Sequence, residues 1–168
     1  MKNISIISLL LIFCAASVGA APKSSSRVGG GVRYHTAQDT VVAAPFDNDV
    51  SYGLLYEYHE GETFWQLGVN YATSMGSNDV DSVITPEVNL VFADKLWRGG
   101  VGVLSSYIKD EVGSDWTDLY YQLILGLEIP VGKMSLEVLA YYVFDDFNSI
   151  KEFNFNEIEV GAWLMYAF

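Results

Sequence analysis

Ile158-Glu159-Val160-Gly161-Ala162-Trp163-Leu164-Met165-Tyr166-Ala167-Phe168 carries an apolar side chain at every second position. Ile158, Val160, Ala162, Leu164, Tyr166 and Phe168 share one face. Glu159, Gly161, Trp163, Met165 and Ala167 share the other, with Glu157 just before them in the same phase. Side chains of a strand alternate with a period of two, so this stretch predicts a strand with one apolar face and one mixed face.

The same alternation recurs upstream and divides the chain after residue 26 into eight segments. They are Arg27 to Thr36, Val50 to Tyr58, Thr63 to Ala72, Val83 to Phe92, Gly99 to Tyr107, Thr117 to Pro130, Ser135 to Phe144 and Asn154 to Phe168. Most approach the roughly 9 to 11 residues of a tilted membrane-spanning strand, and none shows a sustained helical period. Connections alternate in length. His59 to Glu62, Ala93 to Arg98 and Val131 to Met134 are short; Ala37 to Asp49, Thr73 to Ser82, Ile108 to Trp116 and Asp145 to Phe153 are longer. Short turns on one rim and long loops on the other, with an even strand count, place both ends on the short-turn rim.

One face of every segment is apolar and uncharged: Val28 and Val32; Leu54 and Tyr56; Leu67 and Val69; Ile84, Val88 and Leu90; Val101 and Val103; Leu123, Leu125 and Leu127; Leu136, Val138 and Ala140. Its aromatics sort into two bands. Tyr58, Trp65, Phe92, Tyr166 and Phe168 fall near the short turns; Tyr34, Tyr52, Tyr71, Tyr107, Tyr121 and Tyr142 fall near the long loops. Amphipathic rings favour the headgroup level of a bilayer, so two bands around an aliphatic zone predict a membrane girdle. The other face holds Arg33, His35, Glu57, Gln66, Asn70, Glu87, Asn89, Gln122, Glu128, Glu137, Glu157 and Glu159, with Phe64, Leu104, Tyr120, Leu139, Tyr141 and Trp163 for bulk. Inward glycines on six segments suit a small, strongly curved sheet. Eight strands enclose only enough space for side chains, which predicts a filled lumen. Pro86 interrupts the fourth segment and removes a ladder donor, so a bulge is expected there.

Composition agrees with this reading. The chain has 9 basic and 21 acidic residues, yet it is 51% hydrophobic with a mean hydropathy of +0.22. An acidic balance excludes a nucleic-acid partner, which needs clustered Lys and Arg. No apolar run after residue 21 is long enough for a membrane helix, which leaves a closed barrel as the way to present this surface to lipid. Residues 1–20, with Lys2, the Ile- and Leu-rich run to Val18 and the small Gly19-Ala20-Ala21, read as a secretory signal cleaved after Ala20 or Ala21. Loss of Lys2 leaves 8 basic against 21 acidic residues, a charge of −13. Cys14, the single cysteine, lies in that segment behind bulky Phe13, where a lipoprotein signal carries a small residue. The mature chain then has no thiol, which excludes disulfides and thiolate chemistry. The expected organisation is a signal peptide, a linker over 21–26 and a barrel domain over 27–168.

Together, the signal peptide, eight segments, alternating loops, two aromatic bands and terminal Phe168 resemble the OmpA/OmpX-type family of small eight-stranded outer-membrane barrels. The resemblance covers the barrel segments and rests on no short motif. It implies an all-β, antiparallel, up-and-down transmembrane barrel with periplasmic ends, located in the outer membrane of a Gram-negative-type bacterium. Outer-membrane lipid, lipopolysaccharide and the barrel assembly machinery are the implied partners. It implies no particular activity, and a monomer without cofactor, metal or catalysis is expected.

Three constellations allow other readings. His35 and Ser51 should meet near the long-loop rim, with Asp39 or Asp49 as the acid, a set used in acyl transfer. No serine stands two residues after a histidine, the spacing expected of lipid A deacylases. The inward Glu57, Glu87, Glu128, Glu137 and Glu159 could line a cation path or join Arg33, Gln66, Asn70, Gln122 and the tyrosines in a structural network; Arg33 alone cannot match five carboxylates, so some of these glutamates are expected to be protonated or wetted. The acidic loops, including Asp47-Asn48-Asp49 and Asp79-Val80-Asp81, offer oxygen ligands without a full calcium-loop spacing. A soluble lipocalin-type barrel remains a further alternative and would turn its apolar face inward.

Overall fold

The computed structural model describes residues 25–36, 50–73, 80–147 and 153–168. The proposed signal segment, Cys14, Asp39, Asp47, Asp49 and Asp79 lie outside them, as do residues 21–24 of the expected linker. Ser25 and Ser26, its last two residues, already belong to the first strand.

Among the described residues ten strands form: β1 (Ser25–Tyr34), β2 (Val50–Glu60), β3 (Thr63–Thr73), β4 (Val80–Asp94), β5 (Trp97–Leu104), β6 (Tyr107–Asp110), β7 (Ser114–Trp116), β8 (Tyr120–Val131), β9 (Met134–Phe144) and β10 (Ile158–Ala167). Eight of them close into an antiparallel barrel in the order β1-β2-β3-β4-β5-β8-β9-β10, with β10 returning to β1. Register at the seam is continuous from Arg27↔Ala167 to Tyr34↔Val160. The remaining pair, β6 and β7, is a hairpin beyond the barrel wall, paired through β6 to the start of β4. The expected loop Ile108 to Trp116 is thus an ordered β-ribbon. Tyr107 packs on Trp116 across it, ring centroids 5.3 Å apart.

Between barrel strands the short-turn end has three two-residue turns, Gly61-Glu62, Lys95-Leu96 and Gly132-Lys133. The first residue of each has positive φ, +73° at Gly61, +55° at Lys95 and +68° at Gly132. Glycine adopts this backbone without a Cβ penalty; Lys95 does not.

Pro86 is not the site of a bulge. Its pairing with Val69 continues the β3–β4 register without a shift, and on the other side Glu87↔Leu104 and Ile84↔Tyr107 keep the same offset. The carbonyl of Pro86 accepts from Ser105 N at 3.4 Å, so its missing N–H faces the same neighbour. There the strand breaks into β5 and β6 at Ser105-Ser106. Thr117 repairs the gap: Ser106 N donates to Thr117 Oγ1 at 2.9 Å and Thr117 N to Ser106 O at 2.8 Å. The register shift on β4 falls between Val80 and Ser82 instead.

Alternation sorts the two faces as the sequence predicts. Leu54, Val101, Leu125 and Leu164, on four different strands, are 63, 51, 61 and 51% exposed. No charged residue points outward between the two aromatic bands among the described strands. Tyr52 pairs with Tyr71 near the long-loop end and Tyr58 with Trp65 near the turns. Tyr142 departs from the expectation. It faces outward but is only 6% exposed, because Phe153 folds over it at 4.5 Å between ring centroids and Phe144 lies alongside.

Candidate functional site

The lumen is packed and largely polar. Phe64, Leu139, Tyr141 and Trp163 fill its width, and between them runs a chain of ionic and amide groups. Trp163 Nε1 donates to the Tyr141 hydroxyl at 2.9 Å, and the Arg33 guanidinium lies 3.9 Å from the centre of the Tyr141 ring. Inward glycines make this packing possible, Gly53 and Gly102 among them. A Cβ at Gly53 would collide with Asn70 Oδ1 and stand 2.6 Å from Trp163 Cη2, and one at Gly102 would collide with the amide of Asn89.

At the long-loop end, Arg33 Nε donates to Glu159 Oε2 at 2.6 Å, Nη1 to Glu87 Oε2 at 3.1 Å and Nη2 to Gln122 Oε1 at 3.2 Å. His35 Nδ1 lies 3.0 Å from Glu159 Oε1, and His35 Nε2 lies 2.8 Å from Ser51 Oγ. Gln122 Nε2 reaches across Gly102 to Asn89 Oδ1 at 2.7 Å and to Glu87 Oε2 at 3.0 Å. Asn89 Nδ2 donates to Gln66 Oε1 at 3.0 Å, and Gln66 Nε2 to Glu57 Oε1 at 2.9 Å. The chain is therefore continuous from Ser51 to the short-turn end.

There a second ionic cluster closes the lumen. Arg27 Nη1 stands 2.9 Å from Glu128, 3.3 Å from Glu137 and 3.8 Å from Glu57. Arg98 pairs with Glu128 and donates to the Trp97 carbonyl at 3.0 Å. His59 Nε2 meets Glu57 Oε2 at 2.8 Å, its ring stacked on Phe64 with centroids 4.2 Å apart. Glu128 and Glu137 are direct cross-strand partners. Adjacent like charges are tolerable because Arg27 bridges them.

Every residue of the expected lumen network, Arg33, Glu57, Gln66, Asn70, Glu87, Gln122, Glu128, Glu137 and Glu159, is buried. Glu157 is not part of it; it lies in a short 3₁₀ turn and takes a hydrogen bond from Asn154 Nδ2 at 3.2 Å. Nor is Arg33 the one cation set against the five carboxylates. Arg27 and Arg98 share the load, with His35 and His59 as further partners. Both arginines were legible in principle: Arg27 is in phase with Gly29 and Gly31, and Arg98 with Gly102 and Leu104. Arg98 lies in the lumen and not in a turn because β5 starts two residues before the expected segment.

His35 and Ser51 do meet, but the acid beside them is Glu159 of β10, which sequence spacing does not reveal. Asp39 and Asp49 lie outside the described residues. Ser51 is fully buried and His35 nearly so. Among the described residues no cluster of three or more His, Cys, Asp or Glu is arranged to hold a metal ion. Asp81 is exposed and 3.5 Å from Lys109 Nζ.

No protein-family model matches the chain, and no curated protein matches it.

Proposed function

We propose that this chain is a non-catalytic outer-membrane barrel whose role is structural and interactive: an anchor that holds four acidic long-loop connections at the cell surface. The observation that carries the reading is the pairing of a belt of exposed aliphatic side chains with a lumen filled and cross-linked by buried charges. Exposed apolar area of this extent is unfavourable in water and favourable in lipid. The arrangement is opposite to that of a lipocalin, whose apolar face lines the cavity. The hydrogen-bonded chain from Ser51 to Glu57 and the Arg27 cluster below it favour a sealed network over a cation path.

Membrane fractionation tests the location. The protein should appear with the outer membrane, need detergent for extraction and shift in gel mobility on boiling. Recovery in the soluble periplasmic fraction would overturn the reading. In planar bilayers the purified protein should give no unitary current; reproducible cation-selective steps would favour the pore.

A second reading rests on one arrangement, Ser51 Oγ, His35 Nε2 and Nδ1, and Glu159 Oε1 in line. That order matches an activated serine with its base and orienting acid, and the substrate class would be a lipid ester. Complete burial of Ser51 weighs against it. Labelling of Ser51 by a fluorophosphonate, abolished by Ser51→Ala, would establish this reading in place of the first.

A further inference from the structure

The hairpin of β6 and β7 lines a groove of about 360 Å³, open along one side and separate from the lumen network. Val112 at its tip is 97% exposed and Trp116 is 49% exposed. At its base Ile108 packs against the apolar cluster of Val83, Leu104 and Tyr120. Two carboxylates flank this apolar surface. Asp110 Oδ1 accepts from Val112 N at 2.9 Å and Gly113 N at 2.7 Å, and Asp115 Oδ1 accepts from Trp116 N at 2.8 Å. Each holds the backbone with one oxygen and keeps its Oδ2 outside any hydrogen bond or ion pair among the described residues.

Lys109, the single basic residue of the hairpin, lies 3.5 Å from Asp81. The other charges of the hairpin, Asp110, Glu111 and Asp115, are all negative. The groove is also preformed: the Tyr107 hydroxyl donates to Ser114 Oγ at 2.6 Å, and Asp110 N donates to Gly113 O at 3.0 Å. A surface already held in its bound shape loses little conformational freedom on binding.

We propose that this groove binds an extended, basic, amphipathic peptide segment of another protein. Its apolar side chains pack on Val112 and Trp116, and its ammonium or guanidinium groups face Asp110 and Asp115. The inference rests on the reading of the long-loop connections as exposed at the cell surface, and adds the chemistry of the partner. Charge complementarity selects the sign of that partner, and the indole of Trp116 adds a face for a cation. Phosphate-bearing headgroups carry the wrong sign. The open side selects the form: small-molecule sites enclose most of their ligand, whereas an open groove suits a chain that continues past both ends.

The test uses the full folded chain, nitrogen-labelled, in neutral phosphatidylcholine nanodiscs. A short peptide of alternating lysine and valine is the probe; peptides of alternating glutamate and valine, and of lysine and serine, are the controls. The amide signals of Gly113 and Ser114 and the Trp116 indole signal should move saturably with the probe, more weakly with the lysine–serine peptide and not at all with the glutamate peptide. Asp110→Asn with Asp115→Asn keeps the oxygens that hold the backbone and removes only charge. The pair should weaken binding by about five- to tenfold, the scale of two exposed ion pairs. Val112→Ser should weaken it as well without touching the charges. Equal affinity for the lysine–serine peptide would reduce the effect to bulk attraction and overturn the proposal. So would unchanged affinity in the double variant, or displacement of the probe by spermidine at equal concentration. A chain that fails to enter the discs would overturn the outer-membrane reading together with this one; entry without movement of the hairpin signals would overturn this one alone.

Discussion

Arg33 on β1 and Glu159 on β10 meet at 2.6 Å across the seam where the first and last strands of the barrel pair. The contact spans most of the chain, and it sits where the sheet becomes closed. Glu87 of β4 shares the same guanidinium, so one arginine ties the seam to the opposite wall.

Arg33→Met should therefore destabilise the barrel by about 3 to 5 kcal/mol, the usual cost of leaving buried charges without a partner. Adding Glu87→Gln and Glu159→Gln to that variant should recover a large part of the loss, since the stranded charges are gone. Urea unfolding of the refolded protein in detergent or lipid measures both. Equal stability of the single and triple variants would contradict the argument.

Gly53 and Trp163 form a second dependent pair. Gly53→Ala places a methyl against both Asn70 Oδ1 and the indole and should cost about 1 to 3 kcal/mol through overpacking. In a Trp163→Phe background the same substitution should lose the part of its cost that comes from the indole and keep the part that comes from Asn70, because contacting residues are not additive. A double-mutant cycle on unfolding free energies checks this; strict additivity would show that the ring yields elsewhere.

Lys95 holds a positive φ that its Cβ disfavours. Lys95→Gly should stabilise the barrel by about 1 kcal/mol, less any loss from the added freedom of the unfolded chain. Gly132→Ala, at the matching turn, should destabilise by a similar amount. Opposite shifts of the two unfolding midpoints are the expected result.

Pro86 marks the boundary between β5 and β6. Pro86→Ala restores an N–H facing Ser105 and should let the two strands run on as one. Amide hydrogen exchange is the sensitive readout: protection at Ser105 and Ser106 should rise, with little change at Val69, whose pairing is already regular. Unchanged exchange at the two serines would show that Thr117 alone sets the break.

Much of this protein was legible in its residues because strand periodicity is local. Ile158 to Phe168 alone separates an apolar face from a face carrying Glu159 and Trp163, and the same rule assigned nearly every inward residue of the other strands. Alternation is least informative at segment ends. A two-residue error at Trp97 moved Arg98 from the lumen to a turn, and the hairpin of β6 and β7 read as a loop because Tyr107 to Trp116 is too short to show a clear period.

Alternation states which face a side chain occupies, and that fixed the barrel, its polar interior and its aromatic bands. It carries no information on which inward groups touch, since those partners lie on strands far apart in the chain. Closure of the sheet decided that Glu159 meets Arg33 and His35 and that Gln122 crosses Gly102 to Asn89. Pairing within a lumen is a consequence of register and curvature, and these exist only once the last strand has found the first.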